Sequence, residues 1–75
     1  MSGLDKPKRI MQILSNRAVK YIVSLRDVEL AIFEVVGVSH WSVSRYIEIL
    51  KKLGWLKRLN RYRFLIGPDW DVEDF

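Results

Sequence analysis

Cysteine is missing from the chain, which excludes a disulfide framework and any thiolate metal site. Histidine occurs once, at His40, so a histidine-based metal cluster has no partners and a catalytic triad has a single histidine to build on. No apolar run approaches the length of a membrane span, no secretory leader is visible, and Asn16 and Asn60 both lack a glycosylation context. These absences predict a soluble, cytoplasmic protein that does not work at a membrane. A nucleophile–base pair, a phosphate-cradling glycine loop and a metal-ligand cluster are lacking too, so the sequence points away from an enzyme and implies no cofactor and no metal. Asp69 and Asp71 come nearest to paired carboxylates, but a terminal segment gives them no pocket for acid–base work.

What the chain does have is apolar side chains and unevenly placed charge. Its 75 residues, 49% hydrophobic with nine aromatics, suffice for one core and exceed what a disordered chain carries. A chain of this size hides roughly 60–65% of its unfolded surface, so a modest stability margin is expected. The formal net charge of +4 conceals a division. Residues 39–63 carry seven Lys and Arg against the single acid Glu48, a net of +6, whereas residues 68–75 carry four acids and no base. A basic module with an acidic tail favours a polyanionic partner for the module; the plainer alternative is a solvated surface that is incidentally basic.

The periodicity divides the chain into short elements. Residues 1–5 read as a loose arm. Pro7 suits a first helical turn, and Ile10, Ile13 and Leu14 recur at helical spacing, predicting a helix over Pro7–Ser15 with Asn16 as its cap. Val19–Val23 is β-branched and aromatic and reads as a short strand, with a continuation of the first helix as the alternative. Ser24-Leu25-Arg26-Asp27 has capping-box form and opens a second helix that turns Val28, Ala31, Ile32 and Val35 inward and stops before Gly37. A third helix runs from His40 to Leu53, with Gly54 as the residue just past its end. At about 100° per residue, Val43, Ile47 and Leu50 share one side, flanked by Tyr46 and Leu53, and Trp41, Ser44, Arg45, Glu48 and Lys52 share the other. Leu56 begins a strand, the chain turns near Asn60-Arg61, and in the returning strand Tyr62, Phe64 and Ile66 face one side while Arg61 and Arg63 face the other. Gly67-Pro68 ends the domain.

The stretch Gly37-Val38-Ser39-His40-Trp41-Ser42-Val43-Ser44-Arg45-Tyr46-Ile47 carries the strongest signal. Gly37 supplies a positive φ where one helix stops and the next starts at a steep angle, and Ser39 is a favoured N-cap. The Leu53-Gly54-Trp55-Leu56 break and the basic hairpin Lys57–Ile66 follow at once. This order over residues 4–66 resembles the winged helix-turn-helix family of DNA-binding proteins, the ArsR- and MarR-like regulators in particular. The resemblance implies an α+β fold of three helices and a short three-stranded sheet with a hairpin wing, over a domain of residues 1–67 followed by an acidic-aromatic tail of residues 68–75. It implies a sequence-specific binder of double-stranded DNA, a transcriptional repressor by expectation, with the third helix in the major groove and the wing on the backbone. The ArsR-like metal ligands and the long MarR-like dimerisation helices have no counterpart here, so metal sensing and effector binding are not carried over.

Under that reading the DNA-binding residues are Ser39, His40, Trp41, Ser42, Ser44, Arg45, Lys51, Lys52, Lys57, Arg58, Arg61 and Arg63. Arg45 can fork onto guanine, pair with Glu48, or hold a phosphate. Ser44 is small enough to let the helix approach a groove, while Ser42 serves either that purpose or the cap. His40 is an exposed first-turn residue that adds a phosphate contact when protonated. The wing cations position the protein without specifying sequence. For Trp41 three readings compete: contact with DNA, a protein–protein anchor, or folding back on its own domain. Lys6, Lys8 and Arg9 oppose the dipole of the first helix, as an extra phosphate clamp or a solvated terminus. The tail is a solubilising end, a docking peptide or an internal mimic that shields the basic face. A homodimer, a protein partner through Trp41 or the tail, and RNA in place of DNA complete the partners left open. A winged-helix assembly module is the competing function.

Overall fold

Three consecutive structural signals of the sequence, a capping box, a turn glycine and a helix-stop glycine, fix the middle of the molecule. In a computed structural model, which describes residues 5–67 and residue 70, the order is α1 (Asp5–Arg17), β1 (Ile22–Ser24), α2 (Leu25–Val35), α3 (His40–Lys52), β2 (Leu56–Arg58) and β3 (Arg63–Ile66). The Ser24 hydroxyl accepts from Asp27 N–H at 3.1 Å and the Asp27 carboxylate accepts from Ser24 N–H at 3.2 Å, so both halves of the capping box are made. Gly37 has φ 122°, and α2 gives way to α3 there. At the far end of α3 the Trp55 N–H donates to Leu50 O and the Gly54 N–H to Lys51 O, a Schellman motif made with Gly54 at φ 76°.

The strands form one antiparallel sheet in the order β1-β3-β2. Its register sets Val23 opposite Phe64 and Leu56 opposite Ile66, and these four bury against the helices. Ile10, Met11 and Leu14 from α1, Val28, Ala31 and Ile32 from α2, and Val43 and Leu50 from α3 complete a single core. Val35, Tyr46 and Ile47 are half-buried at its margin. The architecture is a small α+β fold.

The structure corrects several boundaries. The first helix is longer than the expected Pro7–Ser15, and Asn16 lies within it rather than capping it; Ala18 N–H still donates to Leu14 O, so the helical pattern runs past Asn16. Val19–Tyr21 is neither strand nor helix. Val19 and Ile22 exchange both backbone hydrogen bonds across Lys20 (φ 53°) and Tyr21 (φ 67°), a tight turn that delays β1 to Ile22–Ser24. The third helix ends at Lys52, with Leu53 as its cap. Tyr62 does not join the inward row of β3, because Asn60 Oδ1 accepts its N–H at 2.9 Å and holds it in the hairpin turn, where it is exposed. The proposed arm falls outside the described residues except for Asp5, which starts α1, and the tail falls outside them except for Trp70.

Trp70 is the largest departure. The sequence places it in the tail, yet it is 9% exposed and packs edge-to-face on Trp55, with ring centroids 4.9 Å apart. Its indole Nε1–H donates to Ser15 Oγ at 3.0 Å and its backbone N–H to Gly67 O at 3.2 Å. The chain therefore returns from β3 to α1.

Candidate nucleic-acid interface

Because Val43 and Leu50 are drawn into the core, the remaining faces of α3 are turned outward. His40, Trp41, Ser44, Arg45, Glu48 and Lys52 are exposed, and Ser42 and Lys51 are half-buried. Trp41 is 87% exposed, so the reading in which it folds back on its own domain is overturned. Val38, three residues earlier in the turn before α3, is 85% exposed. Ser39 occupies the N-cap position with extended backbone, but its side chain makes no capping hydrogen bond. The first turn of α3 also carries no acid, unlike those of α1 and α2, which hold Asp5 and Asp27.

Glu48 is the acid expected to compete for Arg45. It lies instead 3.6 Å from Lys51 Nζ, one turn on, and Arg45 makes no ion pair among the described residues. That exposed pair contributes little stability, but its geometry leaves the Arg45 guanidinium uncommitted within the described part of the molecule.

The hairpin does not present its four cations together. Arg58 lies opposite Phe64, on the inward side of the sheet, with its guanidinium carbon 5.4 Å from the centroid of that ring. Its Nε and Nη2 donate to the carbonyls of Asn60 and Arg61, each at 3.3 Å, so Arg58 braces the turn that displays Arg61. Lys57 lies opposite Leu65, and Arg63 opposite Ser24, both on the outward side. Arg61 stands exposed in the turn between them. Sequence alternation separates Arg63 from Phe64, but the bracing role of Arg58 depends on carbonyls whose directions only the folded turn sets.

The joint between α3 and the hairpin is tight. Gly67 N–H donates to Trp55 O at 2.8 Å, and a Cβ on Gly67 would overlap the carbonyl oxygen of Gly54. The alternation of β3 gives no hint of this contact. Among the described residues, no group of three His, Cys, Asp or Glu could hold a metal ion, and no helix is long and apolar enough to cross a membrane. No family model, curated protein or solved structure matches the chain.

Proposed function

We propose that this chain is a winged helix-turn-helix protein that binds double-stranded DNA in a sequence-specific way and represses transcription by occupying a promoter. The observation that carries the reading is the cationic stretch spanning the exposed face of α3 and the hairpin, in which Glu48 is the only acid between residues 39 and 67 and is matched by Lys51. In this reading α3 enters the major groove, with Ser44 allowing close approach and Arg45 reading a base edge. Arg61 at the hairpin tip, with Lys57 and Arg63, grips the backbone. Arg58 shapes the tip rather than contacting the duplex. Anisotropy titration of a random duplex at several salt concentrations tests the proposal. Neutralising roughly four to six phosphates gives a slope of log K against log salt of about −4 to −5. A flat response, or no binding at low salt, argues against nucleic acid altogether.

Exposed Trp41 and Val38 favour one competing reading, a winged helix used for protein assembly. Tryptophan concentrates at the energetic centres of protein interfaces. There the apolar corner at the start of α3, rather than Arg45, is the contact.

A further inference from the structure

The outward face of the sheet has a chemistry of its own. Across the three strands the register places Ile22, Leu65 and Lys57 in one row, on the side opposite the buried Val23, Phe64 and Ile66. Ile22 is 37% exposed, Leu65 is half-buried, and Tyr21, beside Ile22, is 71% exposed. Val19, Leu59 and Tyr62, in the turns at the two ends of the sheet, are exposed as well. Lys20, Lys57 and Arg63 are exposed around this apolar strip. No acid occurs in residues 18–24 or 49–67, so among the described residues the strands and their turns carry positive charge alone.

We propose that this face docks an extended segment of a partner protein in which acidic and apolar residues alternate. Ile22 and Leu65, with Tyr21 beside them, supply the apolar contact, and Lys20, Lys57 and Arg63 pair with the acids, so such a segment and a duplex compete for Lys57 and Arg63. Two features separate this occupant from others. The centre of the row is aliphatic, whereas single-stranded nucleic acid is held on sheets by aromatic rings that stack on bases. A strand adding to the β1 edge is also disfavoured, because the Ile22 N–H and C=O are taken by Val19 and the Ser24 N–H by Asp27. On the β1 side, recognition therefore runs through side chains on the face. A second copy stacked face to face would oppose Lys57 and Arg63 to like charge, so a face-to-face dimer is not the occupant.

The test is a titration of the ¹⁵N-labelled full chain, followed by amide shifts. The probes are a short synthetic peptide alternating Asp or Glu with Phe or Val, the same peptide with Lys in place of its acids, and oligo(dT). Shifts concentrated at Ile22, Leu65, Lys57 and Arg63 with the acidic peptide alone support the proposal. Lys57→Glu, a change at an exposed position, should weaken that binding about tenfold, and Ile22→Asp should weaken it at least as much. The proposal is overturned if about 1 mM acidic peptide moves none of these amides, if the lysine peptide binds equally well, if oligo(dT) moves the same amides as strongly, or if Lys57→Glu binds the peptide unchanged. A spectrum of Lys57→Glu matching the parent away from the substitution shows that the fold is intact.

Discussion

Trp70 and Ser15 lie 55 positions apart in sequence and are joined by a hydrogen bond of 3.0 Å from the indole Nε1–H to the serine Oγ. The same indole packs on Trp55, so one side chain ties α1 to the segment leading into β2 and fills the gap between them. In a small core such a closure carries a large share of the stability.

Trp70→Ala should cost about 3–5 kcal/mol, as expected for deleting a buried aromatic. Ser15→Ala, which removes the acceptor and leaves the packing, should cost about 1 kcal/mol. A chain of this length is stable by roughly 4–11 kcal/mol in all, so Trp70→Ala should bring the domain close to unfolding. Urea denaturation followed by circular dichroism measures both. A loss under about 0.5 kcal/mol for Trp70→Ala would show that the indole adds nothing to the core.

Lys20 and Tyr21 both hold positive φ in the turn before β1, a region that side chains with a Cβ occupy at a cost. Replacing the pair with Asn and Gly, the residues such a two-residue turn favours, should stabilise the domain by about 1–2 kcal/mol. Little packing is lost, since Tyr21 is exposed. The thermal midpoint should rise by at least about 4 °C for a domain of this size. An unchanged or lower midpoint would mean that the Tyr21 side chain contributes contacts that outweigh the backbone strain.

That turn also marks where the sequence stops being informative. Ser24 with Asp27, Gly37 and Gly54 are local devices, each satisfied within a few residues, and so α2, the turn after it and α3 could be read from residue type and spacing. The two faces of α3 follow from helical period alone. Val19-Lys20-Tyr21-Ile22 carries no Gly, Asn or Pro to announce a reversal, and its β-branched and aromatic residues imitate a strand. The contacts of Trp70 and Arg58 are hidden for a different reason. What each one touches (Ser15 and Trp55 in one case, two turn carbonyls and Phe64 in the other) exists only once distant or bent backbone is assembled.

The two arginines nearest the proposed duplex should behave differently. Arg45→Ala should cost about 1–3 kcal/mol on a cognate site and narrow the gap to random DNA. Arg61→Ala should weaken cognate and random binding alike and make the salt slope shallower by about one. Arg58→Ala serves as the control, because it should loosen the hairpin turn and lower stability by about 1 kcal/mol before it affects binding. Equal losses on cognate and random duplex for Arg45→Ala would assign that residue to a phosphate.

Trp41→Ala should leave stability within about 0.5 kcal/mol of the parent, since the ring lies almost wholly outside the core. Under DNA binding the variant loses duplex affinity and sediments as before. Under the assembly reading it loses self-association or partner binding and keeps whatever duplex affinity the parent has. Anisotropy and sedimentation on one sample tell the two apart.

The contact between Gly67 and the Gly54 carbonyl has a consequence for anything that meets this molecule. With the Schellman turn of α3 on one side and the Gly67–Trp55 hydrogen bond on the other, helix and hairpin are welded at a fixed angle. They act as a gauge, set before any encounter, so little ordering cost remains to be met on contact. A surface whose features match the gap between Arg45 and Arg61 engages both at once. A surface with another spacing reaches only one of them.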